Sequence, residues 1–227
     1  MSEIFTAEFW GQYGTLLLEG FRDTAIMVGI SAVLAYLIGL PLGVLLILTG
    51  EHGIRPNRTV NRVLGWVVNI GRSLPFIILM IALKDFTRLL VGTYIGVTGA
   101  IVPLVISAAP FIARMVETSL SEVDAGVIEA AQSMGASTFQ IVWKVYLPEA
   151  MPSLVLGGSI SIITILAYTA IAGTIGAGGL GDLGVRYGFY RNVSSMMLVT
   201  VLLLIVIVQV IQTIFNRVST GIDKRLR

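Results

Sequence analysis

Residues 129–148 read EAAQSMGASTFQIVWKVYLP, the longest polar-bearing stretch in a chain otherwise made of apolar runs. Counting a helix from Asp124, the side chains of Val127, Ile128, Ala131 and Met134 recur at helical spacing on one face, with Glu129, Gln132 and Ser133 on the other. Gly135 supplies the αL-tolerant position that ends a helix. Ser137-Thr138-Phe139-Gln140 has the form of a capping box that opens the next one. Pro148 bounds that second helix, because the residue before a proline resists the α region. The stretch therefore predicts a short amphipathic helix, a break and a second helix, presenting a carboxylate rather than crossing a membrane.

The surroundings of this segment set its solvent. Of 227 residues, 56% are hydrophobic and 12% charged, with a mean hydropathy of +0.90. Soluble domains carry about a quarter charged residues, so the class is a polytopic α-helical membrane protein. The apolar residues come in continuous runs rather than in alternation, which argues against a β-barrel. A formal net charge of +2 is too small to point to nucleic acid. The chain has no cysteine and one histidine, His52, so thiol chemistry is excluded and no metal ligand set is expected. The amino terminus, MSEIFTAEFWGQYG, has no basic region of the kind that opens a secretory signal, and none is expected.

A transmembrane helix needs about 20 mostly apolar residues. On that rule five spans are expected, at about 24–49, 60–83, 94–115, 151–171 and 195–215, in a single membrane domain over 1–227. The polar segment at about 120–148 falls between the third and fourth spans. The segment before the first span is polar and aromatic and suits the membrane interface. Within that span, Gly39-Leu40-Pro41-Leu42-Gly43 combines close-approach glycines with a proline.

Basic residues orient the chain. Arg55, Arg58, Arg62, Arg114, Lys144, Arg217, Lys224, Arg225 and Arg227 fall on one side of a five-span layout. They outnumber Arg22, Lys84, Arg88, Arg186 and Arg191 on the other. The positive-inside bias then places the amino terminus outside and the carboxyl terminus, with the 120–148 segment, in the cytoplasm.

Two spans hold candidate pathway residues. In the second, Asn69-Ile70-Gly71-Arg72-Ser73-Leu74-Pro75-Phe76 puts an arginine beside a helix breaker. Either Arg72, Pro75 and Phe76 line a break in the span, or the span starts later and Arg72 reaches the cytoplasmic edge. The fourth span carries Ser159, Ser161 and Tyr168; close helix packing and contact with a solute are both open readings of its small and hydroxyl residues. The glycine-rich run Gly173–Gly184 lacks the Gly-Lys-Ser/Thr of a phosphate loop and reads as a flexible external loop or re-entrant turn.

Glu129-Ala130-Ala131, then Gly135, then Leu147-Pro148 resembles the EAA signature of the permease subunits of bacterial ABC importers, with Val145 where isoleucine is usual. The runs Asn69–Leu79, Ile101–Glu117 and Ile175–Gly184, with the five-span layout, resemble more narrowly the methionine-importer permeases. The resemblance implies the all-α, type I ABC importer permease architecture, with a cytoplasmic coupling helix between helices 3 and 4 in the bacterial inner membrane. It implies a homodimer, two cytoplasmic ATPase subunits that bind ATP and Mg, and a periplasmic or lipid-anchored methionine-binding protein. This chain would hold no cofactor or metal and perform no hydrolysis. Glu129, Ala130, Ala131, Gly135, Leu147 and Pro148 are implied to form the ATPase-coupling region, and methionine, in the L and also the D form, to be the cargo. The alternatives are an ABC permease for another amino acid or small solute, and an ion-coupled secondary transporter. The latter type uses inverted repeats and midplane carboxylates; Asp85, Glu117 and Asp182 sit instead at loops or span ends.

Overall fold

The computed structural model describes residues 6–223, and every regular element among them is helical. Four helices are long and apolar enough to cross a membrane: α1 (Ala7–Thr49), α5 (Gly96–Ser121), α9 (Met151–Gly173) and α11 (Ser194–Ile222). A fifth span is counted only if α2 (Arg58–Ser73) and α3 (Phe76–Ala82) are taken together across a 100° bend.

That bend falls at the break expected beside Pro75, within the span placed at about 60–83. Pro75 brings no N–H and holds φ at −58° with ψ at 131°, an extended geometry that stops α2. Its carbonyl then accepts from Ile78 N and Leu79 N, at 3.0 Å each, to start α3. In the last turn of α2 the Ser73 hydroxyl donates to Asn69 O at 2.7 Å. A further short helix, α4 (Lys84–Val91), follows and closes on Gly92 in the αL conformation.

The first span is longer than expected. Helix α1 is continuous over 43 residues, about 65 Å at 1.5 Å per residue, so the interfacial segment and the span are one helix. Its amino-terminal part is held by packing: Phe9 and Leu17 share a buried cluster with Leu183, Met196 and Val199. The glycine-rich run does not form a flexible loop. It contains α10 (Gly179–Leu183) and a π-helical turn over Gly184–Phe189, and Leu180 N donates to the buried Thr24 hydroxyl at 2.9 Å.

The chain gathers into two compact units. One comprises 1–34, 74–107 and 162–211, and the other 35–73, 108–161 and 212–227. Each of the four long helices contributes a stretch to both. Arg22, Lys84, Arg88, Arg186 and Arg191 all belong to the first unit, whereas Arg55, Arg58, Arg62, Arg114, Lys144 and Arg217 belong to the second. The charge groups distinguished in the sequence thus follow the division by unit. Lys224, Arg225 and Arg227 lie outside the described residues.

In the second unit the Gly39–Gly43 pair brings α1 against α5. A Cβ at Gly39 would fall 2.7 Å from Ala109 O, and one at Gly43 2.5 Å from Ala113 O. Only glycine admits that approach, because any side chain would displace the backbone of the facing helix. Below it, Leu46, Val68 and Ala113 form a buried cluster that adds α2.

Candidate functional site: the elbow between the third and fourth long helices

Helix α6 (Ala125–Ser133) opens with Asp124, whose carboxylate accepts from Gly126 N at 2.7 Å. It closes at Gly135, with φ at +79°. Ala136 N donates to Ala131 O at 3.1 Å and Gly135 N to Gln132 O at 2.9 Å, the paired bonds of a Schellman motif. One residue later Ser137 caps the next helix: its hydroxyl accepts from Gln140 N at 3.3 Å, while Gln140 Oε1 accepts from Ser137 N at 2.8 Å. Both sides of Ala136 are therefore closed by reciprocal bonds. The elbow has few torsions left to fluctuate.

The second half runs through α7 (Thr138–Ile141), a π-helical turn over Val142–Tyr146 and α8 (Leu147–Glu149). Pro148 was expected to bound it and does not. Leu147 keeps helical torsions, φ −65° and ψ −46°. The widened turn spares the proline a clash with the preceding turn, and its missing N–H is absorbed there. Ala150 N then donates to Tyr146 O and Leu154 N to Ala150 O, at 3.0 and 2.9 Å, leading directly into α9.

The buried face of α6 is also narrower than the sequence pattern suggests. Ile128 and Ala131 are buried, but Val127 and Met134 are 45% and 80% exposed. A face becomes buried only where another element covers it, and Val127 and Met134 have no such cover among the described residues. Glu129 and Ala130 are exposed, Leu147 is half-buried and Pro148 exposed.

Glu129 and Gln132 line a cavity of 590 Å³ together with His52, Asn61, Glu117 and Tyr146. Glu129 makes no ion pair among the described residues. Burial pushes the Tyr146 phenol above its ordinary value, so it remains a neutral hydroxyl beside these carboxylates. Glu117 is occupied by Arg114 at 2.5 Å, and Arg114 also donates to Asn69 Oδ1 at 2.9 Å, binding α5 to α2. The loop after α1 is tied to the elbow by Arg55, whose Nε donates to Thr138 Oγ1 at 3.0 Å. At the far end, Ser153 donates to Ser119 Oγ at 3.1 Å and Ser219 to Pro152 O at 3.0 Å. The start of α9 is thus fastened to α5 and α11.

The pathway candidates separate into pairs. Phe76 and Tyr168 stack in the first unit with centroids 4.6 Å apart. Ser159 and Ser161 are buried in the second unit. The Ser161 hydroxyl donates to Gly157 O at 2.8 Å and receives the Tyr36 hydroxyl at 3.5 Å. Arg72 is exposed in the last turn of α2, with Pro75 exposed just beyond. Sequence reasoning missed Tyr36 and the partners of Arg55, Asn69 and Thr138, which lie 45 to 125 residues away.

The family described as "Binding-protein-dependent transport system inner membrane component" matches residues 39–227. A "Probable D-methionine transport system permease protein MetI" of Vibrio cholerae is 48% identical over 219 residues, covering 96% of this chain and 97% of that one. "Methionine import system permease protein MetP" of Bacillus subtilis is 48% identical over 181 residues, 80% and 82% of the two chains. Among solved structures, a chain of the MetNI methionine ABC transporter in an inward-facing conformation superposes with a TM-score of 0.92 at 44% identity, covering 94% of this chain and 99% of that chain. An amino acid ABC transporter chain, at 17% identity and a TM-score of 0.76 over 96% and 100% of the two chains, shares the fold.

Proposed function

We propose, from the premise that this chain belongs to the family of binding-protein-dependent transport system inner membrane components, that it carries methionine across the bacterial inner membrane as the permease subunit of an ATP-driven ABC importer. Two copies form the pathway. Each offers its 120–148 segment to one cytoplasmic ATPase subunit, which binds ATP and Mg and performs hydrolysis. A periplasmic or lipid-anchored protein delivers methionine on the opposite face, and the permease alternates between inward-open and outward-open arrangements.

The observation that carries this reading is the doubly closed elbow at Ala136, continuous through the π-helical turn into α9. A coupling element must pass on a rigid displacement rather than absorb it. Exposed Val127, Glu129, Ala130 and Met134 give an ATPase subunit a surface of mixed chemistry on α6. The bonds of Ser153 and Ser219 then distribute a push on the elbow to α5 and α11. In the membrane, Phe76 and Tyr168 offer a thioether side chain an aromatic contact, which sulfur favours. Arg72, Pro75, Ser159 and Ser161 complete the proposed pathway set.

Proteoliposomes holding the permease and its ATPase, with the binding protein outside and ATP inside, test both levels. Labelled methionine should accumulate in an ATP-dependent manner. ATP-driven uptake of another amino acid but not methionine would overturn the substrate, and ATP-independent uptake would overturn the class.

A further inference from the structure

Beside the elbow, between the end of α1 and the second half of the 120–148 segment, lies a groove of 640 Å³. Val44 and Leu48, in the last turns of α1, form one wall, and Trp143 and Leu147 contribute to the other. Phe139 and Trp143 are 74% and 63% exposed, yet their rings lie parallel, 6° apart in plane with centroids at 6.3 Å. The groove is walled by the end of a membrane helix and by large aromatic side chains, the composition of the boundary between hydrocarbon and head groups.

Its one charged lining residue is Arg55. The main chain is anchored where Arg55 N donates to Leu48 O at 3.0 Å, and the guanidinium is held by one bond, from Nε to Thr138 Oγ1 at 3.0 Å. Its two terminal amino groups have no carboxylate partner among the described residues. The neighbouring Arg58 differs, being paired with Glu51 at 3.1 Å. A fixed, uncompensated guanidinium presents the fork that binds phosphate. Basic pockets beside membrane helices at the cytoplasmic face suit anionic head groups.

We infer that this groove holds an acyl chain of an anionic phospholipid whose phosphate is bound by Arg55. The charge selects the head group, and the apolar walls select the chain. Neither feature depends on which solute the permease carries. Because one wall is the second half of the elbow, the lipid contacts the segment that joins α6 to α9.

The test uses the intact complex of permease and ATPase in nanodiscs containing a phosphatidylglycerol with a photoreactive acyl chain, followed by peptide mapping. Labelling is expected on the peptides of Val44, Leu48 and Trp143. Arg55→Gln should lower it about tenfold, the loss expected for charge-assisted hydrogen bonds, and Arg55→Lys should restore part of it. Labelling of the exposed α11 residues Val206 and Val210 serves as reference and should not change. Equal groove labelling by the corresponding phosphatidylcholine, unaffected by Arg55→Gln, would overturn the proposal. So would absence of groove labelling together with a disulfide from Trp143→Cys to a second copy or to the ATPase, since the groove would then be covered by protein.

Discussion

The ring of Phe76 lies parallel to the ring of Tyr168, with an interplanar angle of 6° and centroids 4.6 Å apart. Phe76 follows the proline that bends the chain by 100°, so the stack fixes α3 against α9 at the point where α2 ends. Aromatic pairs contribute about 0.5–1.5 kcal/mol beyond their burial. Phe76→Ala should therefore lower the unfolding temperature of the purified complex and reduce methionine uptake. Tyr168→Phe keeps both rings and should leave thermal stability near that of the parent. A scanning-fluorimetry comparison in which the two variants behave alike would remove the stack as the cause.

The elbow predicts an order of tolerance at Gly135. A side chain at φ +79° costs about 1–2 kcal/mol, and asparagine accepts the left-handed region better than other residues. Since a Cβ there meets nothing within 4 Å, backbone conformation alone sets the effect. ATP-dependent uptake should fall in the order Gly135→Asn, Gly135→Ala, Gly135→Val, with β-branching worst. Equal rates for all three would show that the left-handed turn does not limit coupling.

Two glycines in helices should respond in opposite ways to alanine. Gly43→Ala places a Cβ 2.5 Å from Ala113 O and should reduce the yield of folded protein. Gly65 in α2 has no neighbour within 4 Å of such a Cβ. Gly65→Ala should be neutral or stabilising by up to about 1 kcal/mol, the helix propensity difference. Size-exclusion profiles and melting temperatures of the two variants check the contrast.

Asp182 gives a pH signature. Burial raises its carboxyl above the ordinary carboxylate value, and this outweighs the opposing charge and hydrogen bond of Arg186 at 2.6 Å. The folded chain then binds the proton more tightly than the unfolded one. Between the ordinary and the raised value, this group's contribution to stability decreases as pH rises, and outside that window it is flat. Asp182→Asn should remove this decline, so that the melting temperature falls less, or rises more, with pH across that window. An unchanged slope there would show that Asp182 does not contribute to it.

The membrane class, the helix–turn–helix at 124–148 and the break near Pro75 could all be read from the chain in one dimension. Apolar run length, a capping Ser137 with Gln140 three residues on, and a glycine at a helix end act over fewer than about six residues. Their partners are therefore already adjacent in the sequence. The EAA spacing carried the family likeness for the same reason, being a short pattern of fixed register.

What a helix packs against was decided elsewhere. Periodicity placed Val127 and Met134 on the inner face of α6, yet only Ile128 and Ala131 are covered. Periodicity ranks faces, but a face is buried only by an element brought to it from a distance. Pro148 marks a boundary to any local rule, whereas the π-helical turn before it lets the helix run on into α9. The elbow of 129–148 was thus determined by its own residues. The Arg55–Thr138 tie, 83 residues long in sequence, and the Tyr36–Ser161 contact, 125 residues long, came only from the tertiary structure, because no local spacing encodes which distant helix arrives alongside.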